Sequence, residues 1–389
     1  MQITHCQHRR PGVCAAEGVE AKSGPGEHSF CGVCSAIAVA MGQKAGEKWA
    51  VAAALQPTLL LSRRLLAFKL GFLLAVAGAG GSALAQAVQA PALPQAPIRL
   101  IVPFTPGTGI DLIARTVGPK LSERLGRPVV VDNRAGASGN IGTEAVVRAA
   151  PNGSTLLVTV NTLVMNAGLY PQLPFDPVKD LMPVTLTSWG QLILVAHPKT
   201  GFKTATDLVA AARRSPGRLN YGSPGVGTPH HLSMELFKAT AGVFVTHIPY
   251  RGTGPALTDL LGGQIDTMFL PIHVALPHVK SGRLLALGIG SDKRHPLLPE
   301  LPTLAEAKAG KVNVDMWYGI FAPPGTSPEL VALYNREIRE ILQSEEVKKA
   351  FQTQGMDPSG SSAAEFQRLV EADARRWAQL IKAQGITAN

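Results

Sequence analysis

Two segments combine glycines with hydroxyl, acidic and histidine side chains: Phe104-Thr105-Pro106-Gly107-Thr108-Gly109-Ile110-Asp111, and Tyr221-Gly222-Ser223-Pro224-Gly225-Val226-Gly227-Thr228-Pro229-His230-His231. Each follows a β-rich apolar run and opens a helical pattern, so each predicts a strand-to-helix turn whose backbone can approach a ligand closely. Free N–H groups and the positive end of a helix favour a carboxylate or phosphate at such a place. A nucleotide fails on spacing. Gly107-x-Gly109 is followed by Leu112 where a third glycine would stand, and Gly225-x-Gly227 by His230, while no phosphate-loop G-x-x-x-x-G-K-[ST] occurs. A third cluster, Asn133 to Gly142, is expected to shape a loop.

Covalent and metal chemistry find few candidates. H-E-x-x-H and G-x-S-x-G are absent. His230 and His231 sit at a helix start, where one is expected to hydrogen-bond a ligand; adjacent histidines point in different directions and suit no shared metal. His197, His247, His273, His278 and His295 are scattered, with ordinary surface or hydrogen-bonded roles as the default. Asp111 and Asp266 are conceivable acid/base groups, but Asp111 also complements the dipole of the helix it opens. No cofactor and no metal are expected.

These turns need a scaffold, and the pattern from Pro97 onward supplies one. Ile98–Phe104, Val129–Asp132, Thr155–Val160 and Leu192–Ala196 read as strands, with helices over Ile110–Leu125 and from about Asn140 to Ala150 between them. Leu219–Gly222, Val245–Pro249, Ile265–Phe269 and Leu284–Ile289 repeat the alternation. Thr204 with Asp207, Thr326 with Glu329 and Ser362 with Glu365 match capping boxes, and Thr228 precedes a proline at the first helical position. After a strand at Met316–Ala322 the chain is helical, so its end should return to the first sheet. The expectation is α/β, with lobe 1 built from residues 97–196 plus 318–389 and lobe 2 from 197–317.

The 389 residues carry 37 Lys and Arg against 27 Asp and Glu, and four cysteines. Cys6, Cys14, Cys31 and Cys34 all precede residue 86, and the one C-x-x-C has no second pair at zinc-ligand spacing. Ser62 to Ala85 has a basic start, an apolar run and an Ala83-Leu84-Ala85 end, the pattern of an export signal cleaved near Ala85. Residues 1–61 then read as an extension from a start codon set too far upstream. Eight basic and four acidic residues lie in this leader, leaving 29 against 23 in a cysteine-free remainder. That remainder has no disulfide framework, and its charge is too dispersed for a nucleic-acid surface.

At these motifs the sequence resembles the Bug family, the periplasmic solute-binding proteins of tripartite tricarboxylate transporters. The resemblance runs from about Ile98 to Ile386 and includes IRLIVPFTPGTGIDLIAR (Ile98–Arg115), LNYGSPGVGTPHHLSMELF (Leu219–Phe237), HIPYRGTGPALTDLLGGQIDTMF (His247–Phe269) and WYGIFAPPGT (Trp317–Thr326). It implies a two-lobed Venus-flytrap fold, each lobe a mostly parallel sheet flanked by helices, closing on a small organic carboxylate. It also implies a monomeric binder in the periplasm, not an enzyme, that serves membrane permease subunits or a sensor. Carried over by position, the ligand loops are Phe104, Pro106, Gly107, Thr108, Gly109 and Asp111 in lobe 1, and Ser223, Gly225, Gly227, Thr228 and His231 in lobe 2. Thr108 departs from the family's usual Pro-Gly-Gly. Leu270-Pro271 stands where many relatives carry an acidic or amide residue, which points to a plain or aromatic carboxylate rather than an amino acid. The competing reading is an exported α/β hydrolase or transferase acting through Asp111 or His231.

Overall fold

A computed structural model describes residue 93 and residues 95–170 and 172–387. The expected leader, its cleavage site and the four cysteines lie outside the described residues. In chain order the elements are β1 (Ile98–Val102), α1 (Gly109–Leu125), β2 (Val129–Asn133), α2 (Asn140–Val147), β3 (Thr155–Val160), α3 (Thr162–Leu169), β4 (Met182–Gly190) and β5 (Leu192–Ala196). There follow α4 (Ala205–Arg214), β6 (Asn220–Ser223), α5 (Pro229–Ala241), β7 (Thr246–Pro249), α6 (Thr253–Leu261), β8 (Thr267–Pro271), α7 (Ile272–Lys280) and β9 (Leu285–Ile289). The chain ends with β10 (Met316–Ala322), α8 (Pro328–Gln343), α9 (Glu345–Gln352), β11 (Met356–Pro358) and α10 (Ala363–Ala383).

The strands form a six-stranded sheet, β11-β4-β10-β3-β1-β2, and a five-stranded sheet, β7-β6-β8-β5-β9. Both are mixed rather than mostly parallel. In the first, β1 runs parallel to β2 and β3, while β10 is antiparallel to β3 and β4, and β11 to β4. In the second, β6 is parallel to β7 and β8, and β5 is antiparallel to β8 and β9. The antiparallel pairs arise because the chain leaves the first sheet along β4 and re-enters it along β10.

Those two crossings fall elsewhere than expected. Leu192–Ala196 pairs with β8 and β9 in the second sheet, so the passage is at Gln191, not after Ala196. Met316 and Trp317 pair with Gly190 and Trp189 in the first sheet, so the return precedes residue 318. The two crossings lie side by side: Gly290 N donates to Leu192 O at 2.9 Å, and Val314 N donates to Gly290 O at 3.0 Å.

Helix α1 shows how pattern becomes structure. Ile110, Ile113, Val117 and Leu121 recur at steps of three and four and are all buried, and Gly126 ends the helix in the left-handed region at φ +62°. The helix continues through Pro119 as one element. The capping boxes at Thr204 and Ser362 form as read. The third does not: Ser327 caps α8 by accepting from Leu330 N, while Thr326 donates to Pro323 O at 2.8 Å, because Pro328 takes the first helical position. Helix α10 closes the first sheet, with Phe366, Val370, Trp377 and Ile381 buried and Trp317 Nε1 donating to Asp373 Oδ2 at 2.8 Å.

Candidate functional site

Asp111 is the brace of the first turn. Gly107 N donates to its Oδ2 at 3.0 Å, Arg115 Nε to the same oxygen at 3.0 Å, and Asn133 Nδ2 to Oδ1 at 2.9 Å and to Phe104 O at 3.1 Å. Burial alone would raise this carboxyl, but the Arg115, Gly107 and Asn133 donors outweigh it and hold Asp111 below the ordinary carboxylate value. Its acceptor capacity is spent on the loop. Thr108 occupies the cap position of α1 with extended backbone, and its hydroxyl donates to Thr105 O at 3.2 Å.

The second turn is organised by Ser223 and Thr228. Ser223 Oγ lies 2.6 Å from His247 Nε2 and donates to Gly225 O at 3.1 Å; Thr228 Oγ1 donates to Gly225 O at 2.7 Å and accepts from His231 N at 3.4 Å. His231, the third residue of α5, folds back so that Nδ1 accepts from Gly227 N at 3.3 Å. Its ring centroid is 4.5 Å from that of His247, which stacks at 4.6 Å on Tyr221. Tyr221 in turn donates to Glu235, which Lys238 also binds. Burial pushes His231 down to about 4 and His247 down to about 3, with Lys238 adding to both. These groups form an internal polar stack.

The two turns meet. A methyl group on Gly225 (φ +144°) would lie 2.6 Å from Ser138 Oγ, and Tyr170 Oη donates to Val226 O at 3.4 Å. A methyl group on Gly109 would lie 2.9 Å from Tyr318 Oη and 3.0 Å from His273 Cε1. Glycine is what lets the opposing elements close to this distance.

Between the sheets lies a cavity enclosed by residues of both. Apolar walls come from Phe104, Ile110, Val160, Val274 and Met316; Thr108, Thr162, Thr228, His230, His273 and Tyr318 add the polar atoms. It lies where β1, β3, β6, β7 and β8 hand over to α1, α3, α5, α6 and α7, so five helix starts converge on it without any Lys, Arg, Asp or Glu in the wall. A wider basin of about 620 Å3, bounded by the 135–141 loop, Pro224, Gly225 and Pro249 to Arg251, shares Phe104 and Pro224 with it.

Of the residues named from the sequence, Phe104, Thr108, Gly109 and Thr228 line the cavity and Gly225 lines the basin. Pro106 and Gly107 are exposed on the rim of the first turn, and Asp111, Ser223, Gly227 and His231 hold the turns together from behind. Of the histidine pair, His230 faces the cavity and His231 does not. The cap at Thr228 carried the signal, because the third residue of a capped helix is the one whose side chain turns back. His273, expected in an ordinary surface or hydrogen-bonded role, and Thr162 join the wall from turns without a glycine to mark them, Leu270-Pro271-Ile272-His273 and Val160-Asn161-Thr162. Leu270 belongs to the apolar core behind β8, and Pro271 is the wall residue.

Residues 113–386 match the family described as the tripartite tricarboxylate transporter family receptor. The chain is 37% identical to the protein BugT of Bordetella pertussis, over 83% of this chain and 98% of that one. Among solved structures it is similar to Rpa4515 of R. palustris with adipate (33% identity, TM-score 0.73, 76% of this chain and 99% of that one). It is also similar to the periplasmic binding protein BugD (29%, 0.72, 76% and 99%) and to MatC of Rhodopseudomonas palustris with bound malate (30%, 0.71, 74% and 100%).

Proposed function

The chain belongs to the tripartite tricarboxylate transporter receptor family, whose members are periplasmic solute-binding proteins, and from that premise we propose that it captures a small organic dicarboxylate in the cavity between its two sheets. The observation that carries this reading is the convergence of five helix starts on an apolar cavity whose Thr162 hydroxyl, both His230 ring nitrogens and His273 Nε2 find no hydrogen-bond partner among the described residues. Helix ends supply attraction for an anion, and the apolar walls suit a carbon chain. Adipate and malate in the similar structures belong to the same ligand class. The absence of an acidic side chain from the wall disfavours a ligand amine.

The protein is exported, loses its leader near Ala85, acts as a monomer and presents its cargo to membrane permease subunits or a sensor. Cargo leaves unchanged. The close Ser223–His247 pair offers the nearest thing to a nucleophile and base, but Ser223 is wholly buried, its hydroxyl is committed to Gly225, and it lies outside the cavity wall. A panel of carboxylates tested by thermal shift should include members that raise Tm, since a ligand at 100 times its Kd adds about 2.7 kcal/mol. No shift with any member, or chemical change in recovered ligand, would overturn the reading.

A further inference from the structure

We propose that His230 and His273 jointly receive one carboxylate of the bound anion and that the anion is captured together with a proton, so that affinity rises as the medium becomes more acidic. This deepens the dicarboxylate reading and rests on it. His230 is the second residue of α5 and is 8% exposed; His273 is the second residue of α7, with its Nε2 shielded from solvent. Their rings enter the cavity from two different strand-to-helix turns of the second sheet, and His273 reaches across to Gly109 at the start of α1 in the first. Three of their four ring nitrogens have no partner among the described residues, whereas His231 and His247 are occupied in the stack behind. No grouping of three His, Cys, Asp or Glu side chains able to hold a metal occurs among the described residues, so the pair suits an anion better than a cation.

The chemistry follows from the donor count. A neutral imidazole carries one N–H and one bare acceptor nitrogen, and a carboxylate offers acceptors alone, so each neutral ring leaves one nitrogen without use. Adding a proton to one ring turns that nitrogen into a donor and places a positive charge beside the negative one. Burial keeps both rings neutral, His230 down to about 3 with His273 adding to the effect, and His273 down to about 4. From the elements around them, Tyr318 on β10 is the other titratable wall residue, itself held neutral by burial; α1, α3, α6 and β3 place no ionisable side chain in the wall, the nearest charges on α1, Asp111 and Arg115, bind each other, and Asp259 on α6 accepts from Tyr250. An entering carboxylate is therefore the one strong charge the rings meet, and it drives their proton affinity upward.

Succinate, glutarate and adipate, titrated calorimetrically at pH 6.0 and 8.0 in two buffers of different ionisation enthalpy, test the proposal on the unaltered protein. The expected result is net proton uptake on binding and an affinity about tenfold higher at pH 6.0, the linkage for a proton bound over part of that range. His230→Gln and His273→Gln should each keep the fold, weaken binding and flatten the pH dependence; the ligand's own protonation is common to all three proteins. Binding of the same strength at both pH values without proton uptake would overturn this inference and leave the dicarboxylate reading standing. Absence of binding by every carboxylate would remove both.

Discussion

Asp111, His231 and Ser223 share a property at the residue scale: their chemistry is turned inward. Their place in the glycine-rich turns, and the family resemblance, drew them into the expected site, and the two strand-to-helix turns themselves were legible. Which way each side chain points depends on what it can bond within its own turn, and Asp111 finds Gly107, Arg115 and Asn133 there. The buried histidines have a consequence for stability. His230, His231, His247 and His273 are held neutral down to about 3 or 4, whereas in the unfolded chain they protonate near 6.5. A lowered folded value means that the unfolded state binds more protons below pH 6.5, so stability is present above that pH and lost beneath it, at up to about 1.4 kcal/mol per pH unit per histidine. Thermal melts of ligand-free protein should therefore show a stable plateau above pH 7 and a falling Tm from pH 6.5 to pH 5. A flat profile would mean that these rings protonate in place.

At the scale of elements, most strands and helices could be read from periodicity, because α1, α4 and α10 bury one face and expose the other. β4 escaped for the opposite reason. In MPVTLTSWG the run from Pro183 to Ser188 is buried throughout, since the strand lies between β10 and β11 with helices α8 and α10 packed on it, and a strand covered on both faces has no alternation to show. The start of α1 makes a prediction of its own. Alanine favours a helix more than glycine does, and Gly109 has no special backbone angle, yet its methyl group would meet Tyr318 and His273. Gly109→Ala should leave Tm within a few degrees of the parent and reduce carboxylate affinity by at least tenfold. Equal affinity in an isothermal titration would show that ligand does not pass between α1 and α7.

At the scale of the whole molecule, the cavity takes its wall from both sheets, with Phe104, Val160 and Tyr318 on one side and Thr228, His230 and His273 on the other. A ligand held between them therefore enters as the two sheets move apart and is enclosed as they come together. Paired crossings at Gln191 and near Asp315, tied through Gly290, give such a motion a narrow pivot. Small-angle scattering should show a larger radius of gyration without ligand than with it; identical profiles would place the motion in side chains alone. The general arrangement of an inserted middle segment with two crossings was legible from the order of strands and helices. The exact crossings were not, because β4 and β5 are separated by one residue, so the chain passes from one sheet to the other without a loop.

The position of β10 has a consequence for how the chain is made. It lies between β4 and β3, at the middle of the first sheet, yet it is the tenth strand to emerge. All five strands of the second sheet are present once Ile289 has appeared, while the first sheet still has two unpaired edges facing an empty slot. A chain emerging from its N-terminus thus finishes the inserted sheet before the sheet it is inserted into. For the length of residues 290–315 the edges of β3 and β4 are the surfaces most in need of protection from other chains.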